Sequence, residues 1–196
     1  MASFSTYIPL LLNVEGGFQN HPEDQGNYNS LGELIGTNHG ISTRLYEKII
    51  GRPPKECDIK CITKQEAISI YKNEFWNKLR ADEINSQAVA NTVVDHHVNS
   101  GRGVILAQQV LNQNFGFELT KDNILGNNTL NALNTISEIK FVKEYNSARE
   151  DFYKALNNNT AFINGWINRI KKFAINNSES ISVMALVMAL STFFLS

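Results

Sequence analysis

The stretch "LLNVEGGFQN", residues 11–20, sets one carboxylate, Glu15, at the end of an apolar run and follows it with two glycines. Ile8, Leu11, Leu12 and Glu15 recur at i, i+3, i+4 and i+7, one face of an α-helix. Glu15 is therefore expected to point inward or toward the edge of a cleft. Burial disfavours a charged carboxyl, and the negative end of a helix dipole acts in the same direction on a last-turn acid. Both predict a carboxyl held protonated, the state a general acid requires. Gly16 and Gly17 are expected to close the helix as a left-handed cap and to leave room for a bulky ligand. The same spacing also fits a half-exposed glutamate at a frayed helix end with an ordinary stop.

A second acid, Asp24, follows nine residues later in "NHPEDQG". It either faces Glu15 across a cleft or caps a turn, as aspartate does in Asn- and Gly-rich loops. Two facing carboxylates are the equipment of glycoside hydrolysis, inverting when roughly 6.5–9.5 Å apart and retaining at roughly 5–5.5 Å.

Working outward, helical signals dominate, and the only room for a β-hairpin lies between Gly26 and Ser42, so the expected fold is mainly α. A first helix with its cap near Ser5 or Thr6 runs to Gly16-Gly17. "ITKQEAISIYKNEFWNKL" carries a capping box at Thr63 and Glu66 with Ala67, Ile70, Tyr71, Phe75 and Leu79 at helical spacing. "SQAVANTVVDHHVNSG" reads as a helix ending near Gly101. Further helices are expected in "GVILAQQVLNQNFG", "NNTLNALNTI", "EIKFVKEYNSAREDFYKAL" and "AFINGWINRIKKF". "NNN" at 157–159 and "NNSES" at 176–180 read as linkers.

The 196 residues carry a formal net charge of −1, which gives no basic footprint and excludes nucleic acid as a default partner. Cys57 and Cys61 lack the two further ligands a zinc site needs, and are read as free thiols or one local disulfide. Asp95 and Asn99 share a helix face, as cleft residues or as a buried bracing network; the adjacent His96 and His97 diverge too far to ligate one metal. Trp76 and Trp166 read as core aromatics or sugar-stacking platforms. "MASFSTYIPLLLN" lacks the basic start, apolar core and small-residue cleavage site of a secretory signal, so it is not expected to act as one. The uncharged tail "ISVMALVMALSTFFLS", 181–196, is shorter than the ~20 residues that usually span a bilayer, and is expected to be either a membrane contact through 181–195 or a buried terminal helix.

Several ordered motifs together resemble the glycoside hydrolase family 108 lysozymes, N-acetylmuramidases of bacteria and phages. "VEGGFQNHPED" and "GTNHGIS" are similar to the opening E-G-G-aromatic run, aspartate-rich turn and G-x-T-N-x-G-I segment. "AISIYKNEFWNKL" and "VVDHHVNSG" are similar to the family's Trp-bearing helix and its F-D-x-x-V-N-x-G segment. "LAQQVLN", "LTKDNILGNNTLNAL", "REDFYKAL" and "FINGWINRI" resemble its C-terminal peptidoglycan-binding half, so the likeness covers roughly residues 5–173. Two departures stand out. "NYNSLGELIG", 27–36, is an insertion where the family passes almost directly to its threonine, and "DNILG" replaces a D-G turn.

The resemblance implies a lysozyme-like helical fold with a small β-hairpin or irregular element, divided into a catalytic region over 1–98, a helical peptidoglycan-binding-like region over 99–175 packed on it, and the apolar tail over 179–196. It implies an endo-muramidase cleaving the β-1,4 bond between N-acetylmuramic acid and N-acetylglucosamine, acting as a monomer on peptidoglycan glycan strands without metal or organic cofactor. Glu15 matches the catalytic glutamate. Asp24 and Thr37 match residues expected to position or activate water, and Asn38, Asn99, Gly16 and Gly17 are expected to line the sugar site. Two other functions fit the same residues: a non-catalytic peptidoglycan-binding or secretion-accessory protein, and a chitinase. The implied place of action is the periplasm or cell wall, reached through a phage holin or a secretion system, or from a tether formed by the tail.

Overall fold

The computed structural model describes residues 1–156, 164–171 and 173. It is mainly helical, with one small antiparallel hairpin near the N-terminal end. The expectations for the tail 179–196 fall outside the described residues. Among the described residues, no helix is long and apolar enough to cross a membrane.

The chain divides into two compact units, Ser3–Lys78 and a second formed by Met1–Ala2 with the chain from Leu79 onward. This packing boundary differs from a division at 98/99. Position 99 lies inside a helix, Gln87–Ser100, that packs on the helices following it and so belongs with them.

In the first unit, helix α1 spans Phe4–Leu12, capped by the Ser3 hydroxyl, which accepts the Thr6 N–H at 3.3 Å. Its apolar stripe, Tyr7, Ile8 and Leu11, is buried. Trp76 is fully buried beneath it, stacked on Tyr7 at 5.3 Å and edge-on to Phe4 at 5.8 Å, which makes this tryptophan core. The helix ends earlier than its apolar spacing suggests. The Leu11 carbonyl takes the N–H of both Val14 and Glu15, at 3.0 and 3.1 Å, and a shared acceptor of this kind tightens and terminates a last turn. The C-cap is Asn13, in the right-handed region. Gly16 and Gly17 do not adopt a left-handed conformation, so they are not the cap.

Strands β1 (Thr37–Asn38) and β2 (Ile41–Ser42) pair Asn38 with Ile41, joined by His39 and Gly40. Both turn residues have positive φ, 48° and 74°, the combination a two-residue type I′ hairpin requires. Helices α2 (Thr43–Ile50), α3 (Glu56–Lys60) and α4 (Lys64–Tyr71) follow, with α4 running into a π-helical turn over Lys72–Trp76. Thr63 caps α4 by accepting the Glu66 N–H at 3.1 Å, as the T-x-x-E pattern predicts. Cys57 and Cys61 are exposed free thiols.

In the second unit, α5 (Gln87–Ser100), α6 (Gly103–Phe115), α7 (Asn127–Thr135) and α8 (Glu138–Leu156) form a helical cluster, and residues 164–171 are also helical. Gly101 ends α5 in the left-handed region at φ 71°. At its centre Asp95, fully buried, receives Arg149 on one oxygen at 2.8 Å and Arg169 on the other at 2.7 Å. Arg149 also donates to the Tyr153 hydroxyl, which accepts the Asn99 amide at 2.6 Å. In the "DNILG" turn Asn123 takes the left-handed position, φ 63°, in place of the glycine of a D-G turn. Its side chain accepts the Ile105 N–H and donates to the Gly101 carbonyl.

His96 lies fully buried beside this cluster. Burial, with Arg149, His97 and Arg102 acting in the same direction, pushes its imidazole down to about 2 from an ordinary 6.5. The unfolded chain therefore binds a proton that the folded chain refuses. The stability this histidine contributes is complete above pH about 6.5 and is lost as pH falls, at about 1.4 kcal/mol per pH unit for one proton. Denaturant melts at pH 7, 6, 5 and 4 should show that slope, and His96→Gln should flatten it.

Candidate functional site

The i→i−4 bond from Glu15 N–H to the Leu11 carbonyl carries helical geometry past the end of α1. It keeps the half-buried Glu15 on the side of the helix that its spacing predicts, although the residue lies beyond the last turn. The argument from a last-turn helix dipole consequently does not apply to it.

The Glu15 carboxylate lies over the tip of the hairpin. A methyl group built on Gly40 would overlap both the Glu15 carboxylate, at 2.7 Å from its carbon, and the Tyr71 hydroxyl. Carboxylate and phenol thus converge on one point above a residue that has no side chain. Tyr71, buried on α4, donates its proton to the His39 carbonyl at 3.0 Å and so pins the turn beneath the acid. Gly40 meets two demands at once, a positive φ and clearance for these two groups. Gly16 and Gly17, by contrast, face open space: no atom lies within 4 Å of a methyl built on either. They leave open space next to Glu15 and do not form the left-handed cap.

Asp24 caps a short 3-10 turn, Gln25–Asn27, accepting the Gly26 N–H on one oxygen at 2.8 Å and the Gln19 amide on the other at 3.2 Å. It therefore takes the turn-capping role. The Gln19 amide reaches the Asn27 carbonyl oxygen at 3.2 Å, and that oxygen accepts the Thr37 hydroxyl at 2.7 Å. Asn27 returns its own amide to Gln19 at 3.0 Å, and Gln19 also pairs backbone to backbone with Thr37 at 2.7 and 2.8 Å. Asp24 and Thr37 are thus the two ends of one network running through Gln19 and Asn27.

Residues 27–36 form a closed loop ahead of Thr37. It closes on itself through a Tyr28–Leu34 bridge, with the Asn29 side chain accepting the N–H of Leu31 and Glu33, both at 3.0 Å. Ile35 and Gly36 then return to the Asn27 carbonyl at 2.8 and 3.0 Å, which delivers Thr37 to Gln19. The extra residues leave and re-enter at one point.

Two residues expected at the sugar site have their amides engaged by other protein groups. Asn38 is only 6% exposed, and its amide is aimed at the carbonyls of Ile59, Lys60 and Ile62, so it ties β1 to α3. Asn99 belongs to the second unit and donates to Tyr153. Conversely, spacing does not single out Gln19, Asn27 or Tyr71. Tyr71 reads as one more apolar position of a helix, and only its hydroxyl, meeting a turn 32 residues earlier, distinguishes it.

Comparison with known proteins divides the chain after residue 101. Residues 8–101 match the family model described as glycosyl hydrolase 108, and residues 102–171 match one described as a predicted peptidoglycan domain. The solved structure of SagA from Brucella abortus is similar at a TM-score of 0.75 and 26% identity, covering 91% of this chain and 94% of that one. No curated protein matches the chain.

Proposed function

Because the chain is a glycosyl hydrolase 108 domain followed by a predicted peptidoglycan domain, we propose that it cleaves the β-1,4 bond between N-acetylmuramic acid and N-acetylglucosamine in peptidoglycan. The observation carrying this reading is the Glu15 carboxyl, set over the hairpin turn beside the open space of Gly16 and Gly17. In this reading Glu15 gives its proton to the glycosidic oxygen as the C1–O bond breaks, so the sugar leaves as a neutral alcohol. Water then attacks the oxocarbenium-like carbon and gives up one proton to solvent, from which the Glu15 carboxylate is reprotonated.

Thr37 is the group assigned to that water. Its hydroxyl proton is already given to Asn27, so its oxygen can only accept, and a water donating to it has a fixed orientation. Asp24 acts one step back, as a positioning residue: through Gln19 and Asn27 it holds the threonine. Both its oxygens are engaged by loop donors, which supports this role over direct attack on carbon.

Gly40→Ala should separate geometry from stability. The new methyl must displace Glu15 and Tyr71 side-chain ends, and a misplacement of order 1 Å costs about 100-fold in rate. The left-handed backbone itself costs only about 1–2 kcal/mol. Steady-state rates and thermal melts of the same preparation should show a large loss in the first and a small one in the second.

The proposed activity is tested by incubating the full chain with purified sacculi and with chitin oligomers, following sedimentation of the protein and release of reducing ends. Release from sacculi in preference to chitin is expected. Sedimentation without release would make the protein a non-catalytic wall binder, and preference for chitin would make it a chitinase.

A further inference from the structure

The second unit holds a pocket of about 320 Å³ that the hydrolytic site does not use. Its floor is α5 and α6: His96 from the first, Ile105 and Leu106 from the second, with Phe152 of α8 at the side. Arg102 and Lys121 stand at its rim, both exposed, with no carboxylate paired to either among the described residues. The Arg102 guanidinium lies 5.8 Å over the Phe152 ring, so the cation is fixed against the wall instead of swinging in solvent.

Proton accounting defines the state of the imidazole beneath the floor. The Tyr145 hydroxyl has one hydrogen, and it is donated to the Gly103 carbonyl at 2.9 Å, because a carbonyl can only accept. The 2.9 Å contact between Tyr145 and His96 Nδ1 must then run the other way, from Nδ1–H to the phenol oxygen. That leaves Nε2 of the neutral ring as a lone-pair acceptor, and this atom is buried with no partner. A buried acceptor without a donor costs free energy, and native structures retain few of them. The pocket therefore combines two cations and an apolar wall over a neutral imidazole.

We propose that this pocket binds the carboxylate end of a short peptide, with the carboxylate on Arg102 and Lys121 and a small apolar side chain against Ile105, Leu106 and Phe152. The volume suits one or two residues, not a run of sugars. Resting on the peptidoglycan reading above, the ligand is the peptide stem that substitutes the glycan, whose free end carries a small side chain and a carboxylate. The two units would then divide the polymer chemically, glycan to the first and peptide to the second.

The test is calorimetric titration of the full chain with acetyl-L-lysyl-D-alanyl-D-alanine and with its C-terminal carboxamide. The acid should bind at least about tenfold more tightly than the amide, a difference of about 1.4 kcal/mol. Arg102→Gln and Lys121→Gln, both at exposed positions, should each weaken the acid several-fold and leave the amide little changed. Equal binding of acid and amide, binding of neither, or inorganic phosphate binding as tightly as the peptide would each overturn the proposal. The titration involves no glycan and no turnover. Tripeptide binding by a protein that releases no reducing ends would support the pocket and sink the hydrolase reading alone; release without tripeptide binding would sink the pocket alone.

Discussion

Glu15→Gln is expected to slow reducing-end release from peptidoglycan by about 100- to 10,000-fold, the range a positioned general acid contributes. Glutamine preserves the size of the side chain and its seat over Gly40, so folding should be unaffected. What it removes is a proton that can be transferred. The loss should therefore depend on the leaving group. An aryl glycoside that departs as a stable phenolate needs no protonation, and on such a substrate the variant should recover most of its deficit. If both substrates lose equally, Glu15 holds the sugar and does not protonate it. Glu15→Asp should also fail, for a different reason: the shorter chain withdraws the carboxyl from the point above Gly40.

The largest expected effect on stability is at Asp95. Asp95→Ala leaves Arg149 buried with its charge uncompensated, and breaking a buried pair in this way typically costs about 3–5 kcal/mol. Arg169, its side chain only 12% exposed, loses the same carboxylate. Arg149→Met in the same background should recover part of the loss, because the unpaired charge goes with it. Denaturant midpoints of the two variants measure both steps. The result would also separate the two roles considered for this aspartate, since a residue so deeply committed to two guanidinium groups is a brace for the second unit.

Much of this fold is legible in the sequence because helix ends are written in local chemistry. Thr63 with Glu66 starts one helix, Gly101 ends another, and "EIKFVKEYNSAREDFYKAL" coincides with α8. The end of α1 is not written that way. A shared acceptor at Leu11 stops it, two nearby glycines notwithstanding, and no residue type announces such a geometry. The candidate site was half legible for a related reason. Helical periodicity points Glu15 inward, and the structure half-buries it over the hairpin turn. Its surroundings come from residues far along the chain: Gly40 in a turn defined by two positive φ values, Tyr71 reaching back to that turn, and Gln19 with Asn27 linking Asp24 to Thr37. Contacts of that kind are set by tertiary placement, and spacing along one helix does not encode them.

The central claim is that this chain breaks the glycan by protonating the bond that follows N-acetylmuramic acid. The most direct measurement is the identity of the new reducing end after digestion of purified peptidoglycan, borohydride reduction and mass spectrometry. Muropeptides ending in reduced N-acetylmuramic acid, produced by the wild type and missing with Glu15→Gln, are the predicted result. Fragments ending in reduced N-acetylglucosamine, or muramic-acid ends formed equally by the variant, would contradict it.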